Sequence, residues 1–186
     1  MYYCEGRFSI LVELNSKNDI FLFSLLNNSI EEYKKFVSDQ HIPSAYTEFK
    51  KTLRTWFLNG RMYQFLVYFK HDKENPVGTI FFYGHDEYSQ SIKISAFFEK
   101  ESRNKLLVPE SLGLSIIFAK QIIKVKNLQF SVYVENEKMK RLAKKMRLSV
   151  VNVNLSVTNS KRNVEIYKIS SNLMEEISKK ISKLHR

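Results

Sequence analysis

Three strand-like segments in series, parted by turns of a few polar residues, constrain this chain more than any other feature. Tyr63 to Phe69 (YQFLVYF), Val77 to Tyr83 (VGTIFFY) and Ser91 to Phe98 (SIKISAFF) are rich in aromatic and β-branched residues. They are joined by His71 to Asn75 and by Gly84 to Ser89. Turns this short connect antiparallel neighbours, so the segments predict a meander. The apolar period then changes to about 3.6 over Glu110 to Ile123, with Leu112, Ile116, Ala119 and Ile123 on one face. Leu128 to Val134 (LQFSVYV) is a further strand. A strand–helix–strand passage from Ser91 to Val134 implies a parallel pair joined by a right-handed crossover.

The flanking segments complete the pattern. Phe8 to Leu14 (FSILVEL) reads as a first strand. Ser16, with Asp19 beyond it, is the expected cap of a helix through Phe21 to Leu26. Ile30 to Ser38 is a second short helix. Ser44 opens a longer one that places Phe49, Leu53, Trp56 and Phe57 at helical spacing, with Gly60 past its end. Asn136 to Met146 is helical, with Met139, Leu142, Ala143 and Met146 on its apolar side. Val150 to Val157 and Val164 to Ile169 form a closing hairpin that turns at Asn159 to Arg162. Leu173, Ile177, Ile181 and Leu184 line an amphipathic helix over about 172–186. The fold class is therefore α/β (α+β), with a mixed, mostly antiparallel central sheet flanked by helices. Without a linker-like tract or internal repeat, residues 1–186 are expected to form a single domain.

Composition excludes several classes of protein. At 44% hydrophobic residues, 186 residues suffice for a sizeable core, yet no run approaches the roughly 20 apolar residues of a membrane-spanning helix. The start, MYYCEGRF, lacks the features of a signal peptide, and one cysteine, Cys4, excludes an internal disulfide. An intracellular, cytoplasmic protein with no membrane partner is expected. The four histidines, His41, His71, His85 and His185, show no metal-ligand spacing, so no metal is expected. The net charge of +11 suits an anionic partner. Its densest basic runs, Lys138 to Arg147 and Lys179 to Arg186, are the pattern of solvated helix faces. No recognisable nucleic-acid motif accompanies them, so nucleic acid is not an expected partner.

Three blocks carry a family resemblance. VGTIFFYGHDEYSQSIKISAFFEKE, SRNKLLVPESLGLSIIFAKQ and VYVENEKMKRLAKKMRL together resemble the GCN5-related N-acetyltransferase (GNAT) superfamily. Within it they are most similar to the branch acting on ribosomal-protein N-termini and amino sugars. The resemblance implies a GNAT-like acyl-CoA N-acyltransferase fold with a CoA-binding core at about 76–148. It further implies acetyl-CoA as co-substrate, an amine acceptor as partner, and possible assembly as a homodimer. The pyrophosphate loop would be Arg103, Asn104, Lys105, Leu106, Leu107 and Val108, and in it Leu106 and Val108 stand where the family has glycines. Arg147 and Leu148 replace the Gly-Phe pair, and Ala143 stands at the position of a frequent tyrosine.

The resemblance also implies roles for particular residues. The strand ending at Phe97 and Phe98 would lay backbone amides along the pantetheine arm, one of them polarising the thioester carbonyl. Asn136 would bond that arm or an ordered water, a role compatible with capping its own helix. Arg141 would add positive charge for CoA. The attacking amine needs a base, for which Glu99, Glu135, His85 and Asp86 are candidates. Glu135 also reads as a solvated carboxylate, and His85 and Asp86 as turn formers. Tyr133 is the candidate proton donor to the thiolate, and reads equally as a strand aromatic. Trp56, Phe57, Tyr63 and Phe65 either wall the acceptor site or pack the core. Cys4 has no recognisable catalytic partner and reads as a packed thiol. Two functions follow: an acetyl-CoA-dependent N-acetyltransferase, or a catalytically degenerate relative that binds an acyl-CoA or a protein partner.

Overall fold

In a computed structural model, residues 3–36, 42–103, 105–145, 148–154 and 163–184 are described. The strands are β1 (Tyr3–Glu5), β2 (Ser9–Glu13), β3 (Arg61–Phe69), β4 (Gly78–Asp86), β5 (Ser91–Phe98), β6 (Asn127–Tyr133), β7 (Ser149–Asn154) and β8 (Val164–Ser170). The helices are α1 (Asp19–Asn28), α2 (Ile30–Phe36), α3 (Tyr46–Leu58), α4 (Leu107–Phe118), α5 (Glu137–Lys145) and α6 (Ser171–Leu184). The eight strands form one sheet in the order β1-β2-β3-β4-β5-β6-β8-β7. Every neighbouring pair is antiparallel except β5 and β6, which run parallel with α4 between them.

Alternation along the strands sorts side chains to two faces. Leu11, Phe65, Val67, Ile80, Phe82, Ile94, Phe98 and Leu128 point to one face. There they pack with Leu107, Leu114, Ile116 and Phe118 of α4 and with Met174 and Ile181 of α6. Phe118 meets Tyr63, Phe65 and Phe82 at ring-centroid distances of 5.1, 4.9 and 5.9 Å. The other face, with Ile10, Leu66, Tyr68 and Phe97, lies under α1, α2 and α3 and buries Leu22, Leu26, Tyr33, Phe49 and Trp56. Tyr63 and Phe65 therefore pack beneath α4, away from the helix face that buries Trp56.

Several local expectations shift. Strand β1 is an addition: MYYCEG is too short to announce a strand, and β1 exists by pairing with β2. It holds Cys4 half-buried against the core, where burial raises the thiol pKa. Ser16 does not cap α1. Asn18 is the N-cap residue, and the turn before the helix is made by the Asn15 amide donating to Asn18 Oδ1 at 2.7 Å and the Lys17 amide donating to Asn15 Oδ1 at 2.8 Å. Helix α3 begins at Tyr46 after an extended Ala45, two residues beyond Ser44. Gly60, at φ +94°, turns the chain from α3 into β3. Helix α4 starts three residues earlier than its periodicity suggests, and continues as a π-helical turn over Ala119–Ile123 that ends at left-handed Lys124. The expected turn at Asn159 to Arg162, and the end of the preceding strand, lie outside the described residues.

Candidate active site

Strands β5 and β6 pair only at Ser91–Lys93 with Asn127–Gln129, and then part. Beyond this point each strand keeps its other neighbour: β5 is bonded to β4 as far as Phe98, and β6 to β8 as far as Tyr133. The sheet is thus open between the carboxyl ends of two parallel strands, the position at which open α/β sheets bind ligands. The Glu99 amide donates to Val77 O at 3.0 Å on the β4 side. Alternation consequently turns the Phe97 amide toward β4, and the Ala96 and Phe98 amides toward the opening. The strand amide facing a ligand in this gap is that of Ala96 or Phe98, and not that of Phe97. Phe97 and Phe98 themselves are buried.

The chain leaves β5 through Glu99 and a 3₁₀ turn, Lys100–Ser102, and reaches α4 at Leu107. Three-residue turns occupy the amides of Ser102, Arg103, Lys105 and Val108. Among the described residues, the amides of Leu106 and Leu107 have no acceptor. N–H groups without an intrahelical partner at a helix N-terminus suit an anion. Leucine fits where glycine was expected because Leu106 keeps φ −61°. Leu106 is 63% exposed and Leu107 is buried. Lys105 is exposed beside them, its Nζ 4.8 Å from the Phe69 ring centroid. Asn104 lies outside the described residues.

Arg103 is engaged as a strut. Its Nε donates to Phe98 O at 2.9 Å and its Nη1 to Glu32 Oε2 of α2 at 2.6 Å. The loop is also fixed from below, because Glu110 in the first turn of α4 accepts from the amides of Arg7, Phe8 and Ser9 and from the Ser9 hydroxyl. A cleft of about 670 Å³ opens on the β3 side of this loop, with Arg7, Lys70 and Lys105 in its lining. Leu106 and Leu107 line it as well.

The other sequence-selected residues take up distinct places. Glu99 and Glu135 follow the ends of β5 and β6, on opposite lips of the opening. Glu99 is half-buried, and burial, with Glu101 nearby, holds its carboxyl above the ordinary range, whereas Glu135 is exposed. Asn136 caps α5, its Oδ1 accepting the Met139 amide at 3.2 Å. Arg141 is exposed on that helix, and Val108 is half-buried. Ala143, where a tyrosine is frequent, is buried in a small core with Val132 and Tyr167. His85 and Asp86 sit at the other end of β5, roughly 23 Å from Phe98 at the usual rise of a strand. There Asp86 accepts from the Tyr88 and Ser89 amides and the Ser89 hydroxyl, which makes it a turn former.

Sequence reasoning missed a polar cluster on the helix-facing side of the gap. Ser131 and Tyr133 of β6 share that face with Tyr83 of β4, whose hydroxyl lies near Ser131. Burial raises the Tyr33 and Tyr83 hydroxyls, and the Arg61 guanidinium beside Tyr33 opposes that effect. The alternation of β3 to β6 could have grouped these residues, but only the register brings Tyr83 across β5 to Ser131. Among the described residues no group of three or more His, Cys, Asp and Glu is placed to hold a metal, and no helix is long and apolar enough to cross a membrane.

Comparison with known proteins bears on this geometry. The chain is similar to the structure of a GCN5-related N-acetyltransferase from Brucella melitensis, with TM-score 0.78 and 15% identity over 98% of this chain and 84% of that one. It is also similar to spermidine N-acetyltransferase from Vibrio cholerae, solved with CoA and spermine, with TM-score 0.72 and 14% identity over 90% of this chain and 98% of that one. No curated protein matches the chain in sequence. The model of the acetyltransferase (GNAT) domain matches residues 10–149, and with most of the chain covered, the protein belongs to the GNAT acetyltransferase family.

Proposed function

We propose that the chain is an acetyl-CoA-dependent N-acetyltransferase in which a primary amine attacks the thioester carbonyl directly. The observation that supports this reading best is the parting of β5 from β6 after Lys93 and Gln129. It leaves the Ala96 and Phe98 amides facing a gap, and the chain leaving β5 reaches the N-terminus of α4, where the Leu106 and Leu107 amides have no acceptor among the described residues. Donors of the first kind suit a carbonyl oxygen, and donors at a helix N-terminus suit phosphates.

Bound acetyl-CoA supplies the activated acetyl group. In this reading the Ala96 and Phe98 amides polarise the acetyl carbonyl and hold the negative charge that develops on its oxygen. Lys105 and the amides of Leu106 and Leu107 balance the phosphates, with Arg141 adding charge from α5. Asn136, its oxygen committed to the Met139 amide, offers its side-chain amide hydrogens to the pantetheine arm. Glu99, with its raised pKa, takes the proton from the ammonium form of the acceptor, directly or through water, and Glu135 is the alternative on the facing lip. Tyr133 returns a proton to the thiolate. The acceptor is a small molecule such as an amino sugar, or a protein N-terminus, and a homodimer is the assembly proposed.

A second reading, a degenerate relative that binds an acyl-CoA or a partner, draws on Ala143 and on the engagement of Arg103 by Glu32. Release of CoA thiol from acetyl-CoA, followed across a panel of primary amines, separates the two. Amine-dependent release supports the enzyme. Tight acetyl-CoA binding with no release for any amine supports the degenerate relative.

A further inference from the structure

Arg61, at the start of β3, is 8% exposed. Its guanidinium carbon lies 4.2 Å from the Trp56 ring centroid and 4.0 Å from that of Phe81, so the fork is sandwiched between two aromatic faces. Nη1 donates to Gln64 Oε1 at 2.9 Å, and Gln64 Nε2 donates in turn to Thr79 Oγ1 at 3.0 Å. The Tyr33 hydroxyl lies beside it. Among the described residues, the groups acting on its charge are the hydroxyls of Tyr33 and Tyr83, with no carboxylate among them. A buried charge without a counter-ion is unfavourable unless something else supplies the anion.

The position of this charge gives it a use. Arg61 pairs with Tyr83 in the β3–β4 register, and Tyr83 reaches Ser131 across the front of β5. Tyr33 stacks edge-on against Phe97 and lies within electrostatic reach of Tyr133. The cluster therefore spans the helix-facing side of the sheet from β3 to the lip of the gap, opposite the packed side under α4. Among the described residues no fully buried side-chain nitrogen lacks a partner. A guanidinium has five N–H donors, and Gln64 takes one of them among the described residues, so donors remain for a ligand.

We propose that Arg61 is the anchor for an anionic group, a carboxylate or a phosphate, carried by the acceptor amine. The planar fork held between Trp56 and Phe81 is suited to bidentate contact with either group. The acceptor is then an amine bearing negative charge, and polyamines are poor substrates. That the anion sits on an amine rests on the acetyltransferase reading, but the anion site itself does not.

Trp56 is the only tryptophan in the chain, so its fluorescence reports on the anchor independently of turnover. Phosphoethanolamine and β-alanine are titrated against their uncharged counterparts, ethanolamine and β-alaninamide, and against spermidine, with and without CoA. Saturable fluorescence changes are expected for the two anions alone, the stronger response telling phosphate from carboxylate. In Arg61→Gln and Arg61→Lys the apparent affinity should fall by about 10–100-fold. The kcat/KM ratio of each anionic amine to its neutral twin should fall in step, with the affinity for CoA unchanged. Equal responses to ethanolamine or spermidine, no response to any probe, or unchanged anion affinity in a folded Arg61 variant would overturn the proposal. If the anions bind at Trp56 and no amine is acetylated, the anchor stands and the acetyltransferase reading fails.

Discussion

Replacing Glu110 tests how the start of α4 is held. The carboxylate is 2% exposed and closes the β1–β2 turn. Its Oε1 accepts the Arg7 amide at 2.7 Å, and its Oε2 accepts the Phe8 and Ser9 amides at 2.8 Å and the Ser9 hydroxyl at 2.7 Å. Glu110→Ala removes all four bonds. Arg7 is exposed, so its amide regains water, but Ser9 is fully buried and keeps two unsatisfied donors. At about 1–3 kcal/mol per stranded donor, plus the loss at Phe8, and less the desolvation relieved by removing a charge, the net loss is about 3–5 kcal/mol. For a domain of this size that is a fall in Tm of roughly 6–20 °C. Glu110→Gln keeps one oxygen for the Phe8 and Ser9 donors and turns an NH2 group toward the Arg7 amide, so about 1–3 kcal/mol is expected. Unfolding followed by Trp56 fluorescence gives both values, with exposed Glu101→Ala as a control within about 0.5 kcal/mol. An alanine variant within about 1 kcal/mol of the parent would refute this account of the turn.

Three further outcomes follow. A Cβ on Gly113 would lie 2.5 Å from Ile181 Cδ1 and Cγ1, so Gly113→Ala should destabilise by about 1–3 kcal/mol, and the double variant with Ile181→Ala should lose less than the sum of the two single losses. Asn136→Ala should cost about 1 kcal/mol as a lost cap, and should also weaken CoA binding. Asn136→Asp keeps the cap without the donor, so it should restore stability but not affinity; recovery of both would limit Asn136 to capping. Since the Glu99 carboxyl is held above its ordinary value of about 4.3, a base at this position is active only above the raised pKa. The ascending limb of kcat/KM against pH should therefore lie above the usual carboxylate range and disappear in Glu99→Gln. The sign for stability is opposite: a raised acid favours the folded state when protonated, so this contribution is lost as pH rises through the folded pKa. An unchanged limb in Glu99→Gln would transfer the role to another group.

The meander and the parallel crossover were legible because short polar turns and a change of period each admit few arrangements. The CoA loop was legible only as a place in the chain. Leu106 and Val108 stand where glycines belong, and Leu106 fits there at φ −61°. That the Leu106 and Leu107 amides find no acceptor among the described residues depends on backbone geometry that residue identity does not encode. Arg103 shows the reverse: its type suits phosphate, but the approach of α2 gives it Glu32 as a partner. Ser16 failed as a cap because Asn15 and Asn18 already close the turn. Arg61 was passed over because an arginine opening a strand looks like a solvated end, and only tertiary packing places it between Trp56 and Phe81.

The central claim is that a loop without its family's glycines still presents a working site for acetyl-CoA. Calorimetric titration of the protein with acetyl-CoA, repeated with free CoA, tests it most directly. The account predicts micromolar binding of both, about −8 kcal/mol, weakened when Lys105 is replaced by alanine. No heat and no thermal shift at millimolar ligand would contradict it.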